Sequence, residues 1–86
     1  MAERIVVYGA DWCGDCARTL RYLDRSGLNY DFIDIETDKE GEAKVIAFSS
    51  GRRRIPLVEI ASESGGEPQR LAVPRDAELA AALGKN

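Results

Sequence analysis

The chain has 86 residues, of which 44% are hydrophobic and 31% are charged, and its formal net charge is −3. This length predicts a single domain over residues 1–86 with one modest core. The acidic balance argues against a general nucleic-acid binder, because phosphate contacts need a basic face. No apolar run is long enough for a membrane span or a signal peptide. We therefore expect a cytoplasmic monomer that binds neither nucleic acid nor membranes.

The first third of the chain predicts a strand, a helix and a second strand. The run RIVVY (4–8) is nearly continuous, apolar and rich in β-branched residues, which is typical of a central buried strand. Cys16, Leu20 and Leu23 recur at helical spacing before Gly27, which predicts a helix over Gly14 to Ser26. The segment NYDFIDIE (29–36) alternates in polarity and predicts the second strand.

A second helix is expected after this strand. The stretch TDKE reads as a capping box, with Thr37 as the N-cap and Glu40 three places on. Gly51 is expected to end this helix. Its inner face is predicted to consist of four apolar residues: Ala43, Ile46, Ala47 and Phe48.

The last third predicts a hairpin and a final helix. IPLVEIA (55–61) reads as a strand that begins after Pro56, and QRLAV (69–73) reads as its partner across the turn segment SESGGEP. Pro74 is expected at the start of the last helix, and Gly84 at its end. The element order is therefore βαβαββα, and the first crossover makes the first two strands parallel.

Cys13 and Cys16 are the only cysteines, and they lie where a helix begins directly after the first strand. Two side chains three positions apart at such a site have Cβ atoms about 5–6 Å apart, close enough for a disulfide with little backbone movement. The helix end carries partial positive charge, which stabilises the reactive thiolate. The spacing and the placement both favour redox exchange.

Other interpretations of the cysteine pair remain open. A closed zinc site needs four Cys or His ligands, and the chain has two cysteines and no histidine. Two copies of the chain could still share an iron–sulfur cluster through their cysteines. An inert pair of core cysteines fits poorly, because Cys13 at the helix mouth should be exposed.

The residues around the pair suggest distinct roles. Cys13, at the helix mouth, is expected to be the nucleophile, and Cys16, one turn further in, the more buried resolving thiol. The carboxylate of Asp15 either opposes a nearby thiolate or is a solvated first-turn residue. Trp12 either packs half-buried or offers a flat apolar contact to a docking partner.

The motifs WCGDC (12–16) and RRRIPLVEI (52–60), with the strand order, resemble those of glutaredoxins and small relatives in the thioredoxin superfamily, including mycoredoxins and the glutaredoxin-like donors to ribonucleotide reductase. The resemblance implies an α/β thioredoxin-like fold with a four-stranded mixed sheet in order 2-1-3-4, flanked by three helices. It also implies that Pro56 is cis and faces the cysteines, and that Ile55 offers backbone hydrogen bonds to a bound thiol.

The same resemblance implies a thiol–disulfide oxidoreductase with no tightly bound cofactor or metal. Its substrates would be protein disulfides, such as ribonucleotide reductase or mycothiolated proteins, and electrons would come from mycothiol, glutathione or a reductase. Arg52, Arg53 and Arg54 precede Ile55–Pro56, so they would lie near the groove, where guanidinium groups bind carboxylates. We take Trp12, Asp15, Arg54, Ile55 and Pro56 as candidate substrate-binding residues.

Overall fold

A computed structural model describes residues 3–62 and 65–84. It contains four strands, β1 (Glu3–Gly9), β2 (Asp31–Asp34), β3 (Leu57–Ser62) and β4 (Gln69–Ala72), and three helices, α1 (Gly14–Arg25), α2 (Lys39–Ala47) and α3 (Asp76–Ala82). They follow in the expected order βαβαββα. Part of the SESGGEP turn lies outside the described residues.

The four strands form one sheet in the order β2-β1-β3-β4. β1 pairs in parallel with β2 and antiparallel with β3, and β4 completes the sheet antiparallel to β3. This mixed sheet, with its order 2-1-3-4 and three helices, confirms the expected thioredoxin-like fold. Among the described residues, no helix combines the length and apolarity needed to cross a membrane.

The central strand β1 is buried on both faces because its side chains alternate between two cores. Ile5 and Val7 pack with Leu23 of α1 and Leu79 of α3 on one face. On the other face, Val6 and Tyr8 form the second core together with Ile35, Val45 and Leu57. The uninterrupted apolar run in the sequence is therefore the signature of a strand covered by helices on both sides.

The first and last helices end as the sequence predicts. Gly27 and Gly84 have φ values of +70° and +72°, the left-handed conformation that closes a helix. α1 ends one residue before the expected boundary, with Ser26 as its C-cap. α3 begins two residues after Pro74, and Arg75 occupies its N-cap position.

The expectations for α2 were wrong in three respects: its N-cap, its buried face and its end. Its N-cap is Asp38 and not Thr37. The Asp38 carboxylate accepts a 2.8 Å hydrogen bond from the Gly41 N–H. Its buried face consists of Gly41 and Val45, while all four predicted apolar residues are exposed. The helix also ends at Ala47, before Gly51, which lies in the following turn with φ +80°.

The predicted inner face of α2 is wrong because the helix packs against the sheet through Gly41. A Cβ built at Gly41 would lie 3.1 Å from the Ile33 side chain and 3.3 Å from the Tyr8 ring. The missing side chain therefore sets which side of α2 meets the sheet. This leaves Ile46 and Phe48 on the outer side, where the Phe48 ring lies 4.0 Å from the Arg70 guanidinium.

A charged network compensates for the small apolar face of α2. Lys44 of α2 donates to the Tyr8 hydroxyl at 3.2 Å and to Glu59 at 3.5 Å, and Arg70 of β4 donates to Glu59 at 2.8 Å. Burial opposes the ionisation of Glu59, but the hydrogen bond from Arg70 and the charge of Lys44 outweigh it and hold the pKa of Glu59 below its usual value. The network links α2 to three strands.

We expect Glu59→Gln to lower the free energy of unfolding at neutral pH by about 1–2 kcal/mol, because Lys44 and Arg70 lose their charged acceptor. The Glu59 side chain is only 12% exposed, so water has little access to replace the lost contacts with Lys44 and Arg70. A carboxyl whose folded pKa is lowered contributes stability above its unfolded pKa of about 4.3 and loses it as the pH falls through the folded value.

Urea unfolding at neutral pH and at about pH 3 measures this difference. The gap between wild type and Glu59→Gln should be present at neutral pH and nearly absent in acid. Glu67→Gln serves as the control, because Glu67 is exposed and makes no ion pair among the described residues. An equal loss for both variants, or a gap that persists in acid, would contradict the assigned role.

Candidate active site

The site lies where β1 ends and α1 begins. The chain turns after Gly9, and the Cys13 N–H donates to the Ala10 carbonyl at 3.2 Å. Cys13 is the N-cap of α1, with φ −84° and ψ 115°, and its Sγ accepts a 3.1 Å hydrogen bond from the Cys16 N–H. This contact uses one of the unpaired N–H groups of the first turn, and it points a backbone donor at the Cys13 sulfur.

Cys13 is less exposed than the sequence suggested. It is 8% exposed, because Ala10 and Ile55 pack around it, and its Sγ lies 3.9 Å from the Ile55 carbonyl oxygen. Cys16 is 1% exposed. The expected difference in burial between the two cysteines is present, but Cys13 meets solvent only where it faces a groove. Neither cysteine forms a disulfide in this structure.

The environment of Cys16 keeps its thiol protonated. Burial, followed by the hydrogen bond with Cys13, raises the pKa of Cys16 to about 12, against a smaller opposite effect of its contact with the Ala10 backbone. The charge of Asp15 adds a minor contribution in the same direction. At neutral pH Cys16 is therefore a neutral thiol that can donate to Cys13.

Gly9 is necessary for the position of Cys16, and sequence reasoning missed it. A Cβ at Gly9 would lie 2.5 Å from the Cys16 Sγ and 3.3 Å from the Phe32 ring. No side chain fits there unless Cys16 moves. A glycine at the end of a buried strand is the sequence signal that could have indicated this close approach.

A shallow groove of about 440 Å³ opens beside Cys13. The structure brings four of the five candidate substrate-binding residues to this groove: Trp12, Asp15, Arg54 and Ile55. The fifth, Pro56, is buried, and its peptide bond with Ile55 is cis, as the resemblance implies. The groove is also lined by Gly14, Arg53 and Val73.

Trp12 and Asp15 both extend into solvent at the rim of this groove. Trp12 is 68% exposed, which rules out the half-buried alternative and leaves the docking contact as a prediction. Its indole N–H donates to Glu36 at 3.3 Å. Asp15 is exposed and lies 3.5 Å from the Arg18 guanidinium. Both interpretations of Asp15 stay open, because it is solvated and also adds to the negative field at Cys16.

The three consecutive arginines have different surroundings. Arg53 donates to Glu42 at 2.8 Å and to Glu36 at 3.1 Å. Arg54 lines the groove beside Cys13 and makes no ion pair among the described residues. Arg52 is exposed and does not line that groove. The expected three-residue cluster at the groove is therefore reduced to two residues, of which one is already paired.

Val73 lines both this groove and a second one, and nothing in the sequence indicated its role. A groove of about 750 Å³ continues past Asp15, Arg54 and Val73 to the start of α3, where Arg18 and Arg75 line it. Val73 has φ +48°, a strained conformation for a β-branched residue, and its N–H donates to the Pro56 carbonyl at 2.7 Å. Its backbone thus holds the segment after β4 against the cis-proline turn.

Within residues 3–62 and 65–84, no three His, Cys, Asp or Glu side chains are grouped closely enough to hold a metal ion. A cluster shared between the Cys13 residues of two copies stays a prediction. An absorbance spectrum of the freshly purified protein tests it.

Comparisons with known proteins point to one family. The glutaredoxin family model matches residues 5–64, a stretch that includes both cysteines and Pro56. Mycoredoxin 1 of Corynebacterium glutamicum is 37% identical over 56 residues, which cover 65% of this chain and 68% of mycoredoxin 1.

Two solved structures resemble the whole fold. The glutaredoxin of Archaeoglobus fulgidus superimposes with a TM-score of 0.70 and 26% identity, covering 92% of this chain and 84% of its own. The glutaredoxin-like NrdH-redoxin of Escherichia coli gives a TM-score of 0.63 and 25% identity, covering 85% and 86% of the two chains.

The two cysteines should differ sharply in alkylation. At about pH 8, iodoacetamide should modify Cys13 of the reduced folded protein and spare Cys16, because a buried thiol with a pKa of about 12 has almost no thiolate. Peptide mass mapping measures the modified fraction at each position. Cys16 should react at a comparable rate only after unfolding in urea, which is the control. Similar modification of both cysteines in the folded protein would contradict this assignment.

Proposed function

Because the chain belongs to the glutaredoxin family of thiol–disulfide oxidoreductases, we propose that it reduces mixed disulfides by a two-step exchange in which Cys13 attacks and Cys16 resolves. The observation that carries this proposal is the N-cap contact of Cys13, which points a backbone N–H at a sulfur on the floor of an open groove while Cys16 stays a buried thiol. We further propose that the exchange takes place in the cytoplasm, where thiols are kept reduced.

In the first step, the Cys13 thiolate attacks one sulfur of the substrate disulfide. The new Cys13–substrate bond forms as the substrate S–S bond breaks, and the other substrate sulfur leaves as a thiolate that takes a proton from solvent. The main chain of Ile55 is well placed to hold the substrate beside Cys13. Its carbonyl faces the Cys13 Sγ, and within the described residues its N–H has no acceptor.

In the second step, Cys16 loses its proton and attacks the Cys13 sulfur. The Cys13–Cys16 disulfide forms as the Cys13–substrate bond breaks, and the second substrate sulfur leaves as a thiolate that takes up the proton lost by Cys16. Two of the effects that raise the pKa of Cys16 come from Cys13 itself, namely its hydrogen bond and its charge. Both are lost once Cys13 is bound in a mixed disulfide, so the resolving thiol becomes more acidic at the moment it is needed.

We propose a small thiol or a reductase as the electron donor that returns the protein to its dithiol form. The likeness to mycoredoxin 1 favours mycothiol, and the family as a whole allows glutathione. The likeness to NrdH-redoxin, whose activity profile is described as thioredoxin-like, favours a reductase and a substrate such as ribonucleotide reductase. Rates of reduction of the Cys13–Cys16 disulfide with each donor distinguish these cases.

Trapping tests the proposed roles of the cysteines. Cys16→Ser should accumulate mixed disulfides with substrate proteins, because the first step proceeds and the second cannot. Cys13→Ser should trap almost none, because the remaining cysteine is buried and protonated. Non-reducing gels and mass spectrometry of each variant after incubation with a reduced-and-reoxidised protein substrate measure the adducts. Equal trapping by both variants would show that the nucleophile is assigned wrongly.

Arg54 is the residue in this groove best placed to bind a carboxylate of the substrate, because its guanidinium makes no ion pair with any residue that the structure describes. We expect Arg54→Ala to raise KM for a carboxylate-bearing disulfide severalfold, corresponding to about 1 kcal/mol or less for one exposed contact. The increase should shrink as salt is added. Steady-state kinetics at low and high ionic strength measure it.

Arg52→Ala is the matched control, since it removes the same charge from an exposed position that does not line the groove. Its KM should stay near that of the wild type at every salt concentration. If Arg52→Ala and Arg54→Ala change KM equally, the effect is one of overall charge, and Arg54 has no place in binding.

A further inference from the structure

Trp12 needs polar contacts to hold its orientation. The side chain is 68% exposed, so its ring has little packing around it, yet it lines the groove beside Cys13. An exposed indole with its N–H free would adopt several rotamers. In this structure the indole N–H donates to Glu36 Oε2 at 3.3 Å, which ties the ring to the turn that follows β2.

The Glu36 carboxylate is in turn held by Arg53. The Arg53 guanidinium donates to the same oxygen, Glu36 Oε2, at 3.1 Å, so this atom accepts from both the guanidinium and the indole. The hydrogen bond from Arg53 is the main reason that the pKa of Glu36 lies below its usual value, and the bond from Trp12 acts in the same direction. Glu36 is therefore an ionised acceptor at neutral pH.

Arg53 is itself anchored to a second carboxylate. Its Nε donates to Glu42 of α2 at 2.8 Å while its terminal nitrogen reaches Glu36. These contacts form a continuous chain of hydrogen bonds, Glu42–Arg53–Glu36–Trp12. It links α2 to the Cys13 loop through the segment that precedes the cis proline. A lysine would replace Arg53 only in part, because two different nitrogens of one rigid guanidinium bind the two carboxylates.

We propose that Arg53 is a positioning residue for disulfide exchange, which acts through Glu36 to hold the Trp12 indole at the groove in the orientation that a docking protein disulfide contacts. The proposal rests on the proposed function, since it concerns the docking step of that exchange. It separates the three arginines by role: Arg53 orients the indole, Arg54 faces the substrate, and Arg52 is solvated.

The single tryptophan of the chain gives a readout that is independent of activity. We expect Arg53→Ala and Glu36→Gln to lower the fluorescence anisotropy of Trp12 and to increase its quenching by acrylamide, because the indole gains freedom. Arg52→Ala should change neither value. Arg53→Lys should restore only part of the anisotropy, because a lysine lacks the planar guanidinium whose Nε and terminal nitrogen reach the two carboxylates in this structure. Unchanged anisotropy in Arg53→Ala would overturn the proposal.

Kinetics test whether this orientation matters for docking. Arg53→Ala should raise KM for a protein disulfide about two- to fivefold, the range expected for an exposed charged contact. It should leave kcat and the alkylation rate of Cys13 close to the wild-type values. In a Trp12→Phe background, which lacks the indole N–H, Arg53→Ala should give little further change in KM.

Each outcome has a defined meaning. If Arg53→Ala raises KM equally in the Trp12→Phe background, Arg53 contacts the substrate directly and the proposal is overturned. It is also overturned if the anisotropy falls while KM stays unchanged, because the orientation of the indole then has no part in docking. Failure of the proposed function is recognised separately, since wild-type protein would then reduce no disulfide at all.

Discussion

The hydrogen bond from the Cys16 N–H to the Cys13 Sγ is the contact on which the rest of the site depends. It makes a cysteine the N-cap of α1, and so it places a sulfur atom at the positive end of a helix dipole. It also fixes Cys16 one turn further in, where burial keeps a proton on the second sulfur. One short turn thus makes two identical side chains chemically unequal, which is the condition for ordered attack and resolution.

The fold serves this contact by bringing distant segments to the end of β1. Gly9 leaves room for the Cys16 sulfur, and the Ile55–Pro56 turn covers Cys13 from the start of β3. Val73 extends the same surface from the end of β4 through its bond to the Pro56 carbonyl. Because β1 and β3 are neighbours in the sheet, residues some forty positions apart along the chain meet beside one sulfur.

The sequence contained the element order and the reactive pair, because both depend on local patterns. A β-branched run, a helical repeat after Cys13 and turn residues at their expected places were sufficient for βαβαββα. The inner face of α2 could not be predicted in this way, since the close approach at Gly41 and the charged network around Glu59 select it. The sheet order and the cis proline came from the resemblance and not from the spacing of residues.

The division of work among Arg52, Arg53 and Arg54 was also beyond sequence reasoning. Three identical side chains in a row carry no local signal that shows which of them forms an ion pair. Glu36 and Glu42 become partners of Arg53 only through the tertiary fold. The strained backbone of Val73 had no signal either, because a β-branched residue is among the least expected at positive φ. In both cases the missing information is a contact between segments that are remote in sequence.

Ordered dithiol exchange is tested most directly by a single turnover of the reduced wild-type protein. Equimolar bis(2-hydroxyethyl) disulfide, a neutral substrate, is added without oxygen, and the intact protein and its peptides are weighed by mass spectrometry. The protein should lose two hydrogens, contain a Cys13–Cys16 disulfide and release both halves of the substrate as free thiols. A protein that stays fully reduced, or one that keeps a stable adduct on either cysteine, would contradict the exchange described for Cys13 and Cys16.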